Sequence, residues 1–167
     1  MRRDDVERVR YLCVARLDGA TRAFFWESDG SATDQIVVDV DGFVITYPSE
    51  LAAREAASGP WTLSTEGASE YDLDAIETWC ESDAAVRDSH GLLNAWNLFI
   101  DLPRGDNLFR AADARALGLY DKLFQSCNLP WMTAPGEDYV PVWLAAEVAM
   151  LKRLLRLGLA EFRARVR

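Results

Sequence analysis

Residues 11–27 have the sequence YLCVARLDGATRAFFWE, in which two apolar runs flank Asp18-Gly19. An Asp-Gly pair between such runs is the strongest short-range signal of a β-hairpin, because the type I′ turn needs positive φ angles at both central residues. The pattern predicts one strand over Tyr11–Leu17 and its antiparallel partner over Arg22–Glu27.

A second copy of this pattern follows a polar loop at residues 28–34. Gln35–Val40 and Phe43–Tyr47 flank Asp41-Gly42 in the same way. Asp39 and Asp41 resemble part of a calcium loop, but the first and twelfth ligand positions would be Val37 and Pro48, so the turn is the better interpretation. Two hairpins in tandem predict a four-stranded antiparallel meander.

The chain after residue 48 has the patterns of helices. Ser49 is a suitable N-cap for a short helix over Glu50–Ala57, and residues 61–70 show no period and are expected to form a loop. Further helices are expected over about 72–81, 89–102, 111–124 and 144–166, with a Pro- and Gly-rich loop at 128–141. Asp72 or Asp74 can cap the first of these helices. We therefore predict one α+β domain over residues 1–167, ending in a long C-terminal helix.

The segment Ser89–Leu102 predicts a buried helix, because apolar side chains cover nearly its whole circumference. Its polar residues Asn94, Asn97 and Asp101 form a narrow stripe. Buried polar groups need hydrogen-bond partners. The stripe can bond to the backbone of neighbouring loops, or it can line a polar cleft together with His90 at the helix start.

Net charge is −9 and is unevenly distributed. Residues 27–106 contain 17 acidic side chains and 3 Arg, whereas residues 148–167 contain 6 basic side chains and Glu161. An acidic surface repels nucleic acid and anionic membranes and attracts a basic partner at long range. The alternatives are that the acid only maintains solubility, and that the basic last helix packs over the chain's own acids.

The sequence favours a folded bacterial protein of the cytoplasm. Its three cysteines are far apart, which fits neither a disulfide framework nor a zinc site. We find no signal peptide and no membrane span of about 18 apolar residues. The 16 Arg against 2 Lys, with abundant Ala and Asp, indicate a GC-rich bacterial genome.

We find no sequence motif for catalysis. Phosphate-binding loops and the nucleophile elbow are absent. His90 is the sole histidine, so it cannot form a multi-histidine metal site, and no spacing supports its pairing with a cysteine nucleophile. We predict no catalytic residue, no metal and no cofactor.

Candidate partner-binding residues come from one helix and two loops. Asp72, Asp74, Glu77 and Glu81 share a predicted helix, where they can dock a basic surface or form only a solvated face. The last three share one helix face, a spacing that could also coordinate a hard cation. Trp61 and Trp131 lie in or beside loops, and exposed tryptophan is a favoured anchor of interfaces.

Three segments carry a family resemblance: LLNAWNLFID at 92–101, YDKLF at 120–124 and NLP at 128–130. They are similar to segments of uncharacterised bacterial proteins. In size, acidity and lack of catalytic motifs, the chain also resembles immunity proteins of bacterial toxin systems. That resemblance implies a binding function and assigns no residue to it.

Three functional hypotheses follow. The first is an acidic protein-binding module, in particular an immunity-type inhibitor that occludes a basic partner such as a bacterial toxin. The second is a structural or regulatory homo-oligomer. The third is a small enzyme that uses carboxylate and Asn groups near the buried helix.

Overall fold

The computed structural model describes residues 8–30, 34–103, 114–132 and 134–167. It shows an α+β fold with a mixed sheet and five helices. The strands are β1 (Val9–Leu17), β2 (Ala20–Ser28), β3 (Gln35–Ile36), β4 (Thr62–Leu63) and β5 (Ser69–Asp72). The helices are α1 (Glu50–Ala56), α2 (Leu73–Glu81), α3 (Ser89–Ile100), α4 (Ala114–Gln125) and α5 (Ala145–Arg165).

The first hairpin is confirmed. Strands β1 and β2 pair antiparallel over their full length, from Val9 opposite Ser28 to Leu17 opposite Ala20. Asp18 and Gly19 both have positive φ angles, 54° and 73°, as the type I′ turn requires.

The second hairpin is much smaller than the sequence predicts. Only Gln35–Ile36 pairs with β2 as a strand, while Val38 with Val44 and Ala23 with Tyr47 form isolated bridges. The turn also has an additional residue: Asp39 bonds across to Phe43, and Gly42 alone has a positive φ. Three-residue loops with a glycine in this conformation are a common alternative to the two-residue turn.

The prediction of a purely antiparallel meander is wrong. The sheet has the order β3-β2-β1-β4, and β4 and β5 both pair parallel with β1 at different points along it. These two short strands come from residues 62–72, most of which were expected to form a loop.

Two apolar layers cover the sheet. Alternate residues of the hairpin, among them Cys13, Ala15 and Phe24, face a large core shared with the helices α2 to α5. Leu12, Ala23 and Phe25 point to the opposite face and pack with Ala53 of α1. The alternation of side chains along a strand therefore serves two layers at once.

The buried helix is confirmed: six of the twelve residues of α3 are buried. Its neighbour α5 places Leu151, Leu155, Leu159 and Phe162 in the same core. At the crossing, Gly158 lies against Phe99, and a Cβ atom added at Gly158 would lie 2.1 Å from Cδ2 of that ring. A glycine is what allows α5 to approach α3 this closely.

The predicted capping residues are largely as expected. Ser49 Oγ accepts a hydrogen bond from the amide of Ala52 at the start of α1. Asp72 Oδ1 accepts one from Ala75 at the start of α2. The predicted start of the fourth helix at 111 lies outside the described residues.

Candidate functional site

The sequence-predicted polar stripe lines a cleft between the sheet and α3. Asn94, Asn97 and Asp101 form one wall together with Leu98. The opposite wall comes from the inner face of the sheet and the segment before β5, through Tyr11, Cys13, Trp26, Glu66, Ser69 and Tyr71. The cleft encloses about 410 Å³, a volume in the range of small-ligand sites, roughly 300–1,000 Å³.

Strand register explains why these sheet residues meet. Tyr11 lies directly opposite Trp26 in the β1–β2 pair, and their ring centroids are 5.5 Å apart. Cys13 lies beside Ser69 in the parallel β1–β5 pair. Since side chains two residues apart on a strand share a face, Tyr11 with Cys13 and Ser69 with Tyr71 point to the same side.

Hydrogen bonds fix two members of the stripe. The indole Nε1 of Trp26 donates to Asp101 Oδ2 over 2.9 Å. The hydroxyl of Tyr120 donates to Asn97 Oδ1 over 3.1 Å. The backbone at the end of α3 is also held, because the amide of Ile36 donates to the carbonyl of Asp101. The polar wall is therefore rigidly connected to β2, β3 and α4.

The remaining predicted cleft residues differ in position. Asn94 is exposed and lies at the cleft mouth. His90 is exposed in the first turn of α3 and does not line the cleft. The structure thus brings Asn94, Asn97 and Asp101 together and leaves His90 outside.

Acid–base chemistry in the cleft is limited. Burial raises the pKa of the Cys13 thiol to about 12, and burial likewise raises the pKa of Tyr71. Both groups therefore remain protonated at neutral pH, and a protonated thiol is a poor nucleophile. With His90 outside the cleft, the arrangement suits binding better than nucleophilic catalysis.

The four acidic residues that were predicted to share a helix have different local contacts. Asp72 caps the helix. Asp74 accepts hydrogen bonds from the amides of Asp18 and Gly19, over 2.7 and 2.9 Å. Glu77 pairs with Arg163 over 2.7 Å. Only Glu81 is exposed with no ion pair among the described residues.

Arg163 of α5 binds two carboxylates of a cluster that includes two of these acidic residues. Carboxylate oxygens of Asp18, Asp74 and Glu77 lie within 4.8 Å of one another, a spacing that would suit a hard cation. The guanidinium of Arg163 donates hydrogen bonds to both Asp18 and Glu77. Its proximity lowers the pKa of Asp18. These residues form an ion-pair network that joins the first turn to α2 and α5.

The other basic side chains of α5 mostly bind backbone carbonyls. Lys152 donates to the carbonyl of Ser82, and Arg156 to that of Cys80. Arg165 donates to the carbonyls of Gly42 and Pro103. Helix α5 therefore packs on the acidic segment 27–106 of its own chain, as one sequence interpretation expected. It neutralises few of that segment's carboxylates.

The two predicted tryptophan anchors lie in different environments. Trp61 packs against Phe25, with ring centroids 5.8 Å apart, and carries the guanidinium of Arg10 at 4.4 Å. It is therefore part of the fold. Trp131 is 77% exposed and begins a segment with several other exposed apolar side chains: Met132, Tyr139, Val140, Val142 and Leu144.

Sequence reasoning missed the aromatic wall of the cleft. Trp26 belongs to an alternating strand pattern that is typical of core residues. That pattern cannot distinguish a sheet face that is fully buried from one that lines a cleft. Tyr71 was unassigned because the polar sequence Ser69–Asp72 lacks a strand pattern. The sequence signal that could have revealed this wall was the polar stripe of α3, because a polar stripe on a buried helix needs a surface opposite it.

None of the described helices combines the length and the apolar character that a membrane span needs. Comparisons of the chain with protein-family models, with curated proteins and with solved structures found no match.

Proposed function

We propose that this chain is an acidic protein-binding module, of the type of an immunity protein that occludes a basic partner such as a bacterial toxin. It binds by covering the partner's surface, and its negative potential attracts the partner during approach. The partner is a protein with a basic surface, and the proposed site of action is the bacterial cytoplasm.

The observation that carries the proposal is negative charge that the described residues do not neutralise. Eight acidic side chains of the 27–106 segment are exposed and have no ion pair among the described residues: Asp41, Glu50, Glu55, Glu66, Glu70, Glu81, Asp83 and Asp88. In the described part of the segment, α5 contributes a single carboxylate partner, Arg163 to Glu77. The acidic potential therefore remains available to another molecule.

The exposed apolar segment 131–144 supports the same function. Trp131, Val140 and Val142 are each more than three-quarters exposed, and exposed Glu137 and Asp138 lie between them in sequence. Exposed apolar patches that are rimmed by polar residues mark protein interaction sites. A tryptophan here can supply the anchor that an interface needs.

Affinity capture tests the proposal. The tagged full chain is used as bait in lysate of the source cell, and in parallel a variant with Glu50→Gln, Glu55→Gln, Glu66→Gln and Glu70→Gln. We expect a basic protein to be retained by the wild-type chain and weakly by the variant. For the purified pair, the association rate should fall by about tenfold or more between roughly 50 and 500 mM salt, because salt screens the attraction.

Two results would contradict the proposal. One is an association rate that does not change with salt concentration or is unchanged by the four Glu→Gln substitutions. The other is light scattering that shows the isolated chain to be a dimer and the Trp131→Ala variant to be a monomer, which would favour the homo-oligomer hypothesis. Arg54→Gln, which removes an exposed basic group from the same helix as Glu50 and Glu55, is the matched control and should not slow association.

A further inference from the structure

We infer that a recess at the turn end of the first hairpin binds a small carboxylic acid, whose carboxylate pairs with Arg22 and whose apolar body fills the space below. The recess lies between the sheet and the last turn of α5, and it shares no lining residue with the cleft beside α3. The inference goes beyond the proposed function, because its ligand is a small molecule and not a protein partner.

Strand register forms the floor of the recess. Ala15 lies opposite Arg22 in the β1–β2 pair, and Leu17 lies opposite Ala20. Residues that face each other, or lie two apart on a strand, share one side of the sheet. These four side chains and Phe24 therefore point toward the helices. Two of the five are alanines, whose short side chains leave space under α5.

Helix α5 closes the recess from the other side through Phe162 and Val166, which are four residues apart on one helix face. The ring of Phe162 lies 5.9 Å from that of Phe24, measured between centroids. The recess encloses about 160 Å³. An apolar cavity of about 150 Å³ in another protein holds benzene, so this volume suits a body of about one six-membered ring.

The Arg22 side chain supplies the positive charge. Four arginines are half-buried in the described part of the chain, and three of them, Arg10, Arg163 and Arg165, each bind a carboxylate. Arg22 is the fourth, and its guanidinium has no hydrogen bond or ion pair to a described residue. A charged group that is partly removed from water without a partner is unfavourable. An anion in the recess would compensate it.

The charges around the recess select an anion over a cation. Its described lining contains two arginines, Arg22 and Arg163, and one acid, Asp18. Both carboxylate oxygens of Asp18 already accept hydrogen bonds from Arg163 Nε, over 3.0 Å each. Arg163 uses Nε and Nη2 for its carboxylate partners, and its Nη1 has no hydrogen bond to a described residue. Donors of both arginines therefore remain for a ligand.

The apolar floor distinguishes an organic acid from an inorganic anion. A guanidinium binds a carboxylate through two parallel hydrogen bonds, which satisfies the polar side of the recess. The other side consists of apolar side chains, among them Leu17, Phe24 and Phe162. Burial of apolar area against them contributes only if the anion carries an apolar body. Aromatic and branched carboxylic acids meet both conditions.

Calorimetric titration of the full chain with four small probes tests the inference. Benzoate should bind in the millimolar range. Benzamide has the same ring and no charge, and it should bind at least about tenfold more weakly because the charge-assisted bonds are lost. Acetate and sulfate keep negative charge without a ring, and each should also bind at least about tenfold more weakly because little apolar area is buried.

Substitution of Arg22 locates the charge that binds. Arg22→Gln keeps a side chain of similar length without the charge, and it should weaken benzoate at least about tenfold. The matched control is Arg54→Gln. Arg54 is an exposed arginine of α1 with no ion pair among the described residues, and it does not line the recess. This control should leave the affinity for benzoate unchanged.

A second pair of variants tests the space, and it carries the test if Arg22→Gln fails to fold. Ala20→Leu places a larger side chain in the recess and should weaken benzoate at least about tenfold, because the ring and the new side chain compete for the same volume. Thr21→Leu is the control. Thr21 is exposed, and as the next residue of β2 it points to the other face of the sheet.

The outcomes decide the inference independently of the protein partner. Benzoate binding that exceeds that of the other three probes and is weakened by Arg22→Gln and Ala20→Leu would support the site, whether or not a basic protein is captured. No binding of benzoate, or equal binding of benzoate and benzamide, would overturn it. Acetate or sulfate binding as tight as benzoate would also overturn it, as would benzoate binding that neither variant weakens.

Discussion

Single residues decide how closely the helices of this protein approach. Gly158 of α5 is buried against the Phe99 ring, while Gly118 of α4 is exposed and has no neighbour within 4 Å of an added Cβ. Both glycines lie inside helices, where the flexibility of glycine is unfavourable. Only the first has a packing reason to be there.

These two glycines form a matched pair for mutation. Gly158→Ala should reduce the free energy of unfolding by about 1–3 kcal/mol, because the new methyl group displaces Phe99 from the core. Gly118→Ala should increase it by about 0.5–1 kcal/mol, the usual gain when alanine replaces glycine in an exposed helix.

Denaturant unfolding, followed by circular dichroism, measures both changes. If Gly158→Ala leaves the free energy of unfolding unchanged or increases it, α3 and α5 can move apart without loss of stability, contrary to the packing described above. The two variants alter the same residue type inside helices, so helix propensity alone predicts the same sign for both.

At the scale of elements, local signals predicted most of the fold. The Asp18-Gly19 turn fixed the first hairpin, and the capping residues Ser49 and Asp72 marked two helix starts. The polar stripe of α3 indicated half of the cleft. In each case the determining interactions lie within a few residues of one another.

The signals that failed are those that depend on distant residues. Strands β4 and β5 are two and four residues long, and each is defined only by its parallel pairing with β1. No period is detectable over such lengths. Similarly, Val44 bridges to both Val38 and Val166, so the second hairpin is shaped by contacts that its own sequence does not reveal.

The ion-pair network around Arg163 links three elements and should contribute to stability. Arg163→Met should lower Tm by a few degrees at neutral pH, because it removes the hydrogen bonds to Asp18 and Glu77 and leaves three carboxylates close together. Arg153→Met, on an exposed position of the same helix with no ion pair among the described residues, is the control.

The effect of Arg163 should depend on pH in one direction. The folded protein holds the pKa of Asp18 below its ordinary value of 3.8, mainly through the hydrogen bond from Arg163. The stability from this group is fully present above that value and is lost as the pH falls through the folded pKa. The Tm difference between wild type and Arg163→Met should therefore narrow below about pH 4. A constant difference down to the acid transition would contradict this assignment.

At the scale of the whole molecule, three free cysteines lie in separate parts of one core. Cys13 lies in β1, Cys80 in α2 and Cys127 just after α4, and all three are buried. Burial raises the pKa of Cys13 to about 12 and that of Cys80 to about 11. In the native state their thiolate fractions are very small near neutral pH.

Thiol labelling should therefore report cooperative unfolding. With iodoacetamide at about pH 8, we expect the three cysteines of the native chain to react slowly and at one common rate, because each needs the core to open. In denaturant all three should react rapidly. Mass spectrometry over time distinguishes the species, and accumulation of a singly labelled native form would show that one part of the core opens independently.

The position of α5 in the sequence has a consequence for synthesis. Its residues Leu151, Leu155 and Leu159 complete the core against strands whose turn is at Asp18. On a ribosome that adds about 5–20 residues per second, the hairpin emerges roughly 7–30 s before that helix. The nascent chain exposes Phe24 throughout this interval and Phe99 during its later part, and α5 afterwards covers both through Phe162. Chaperones that recognise aromatic residues on emerging polypeptides therefore have their opportunity before residue 145 leaves the exit tunnel.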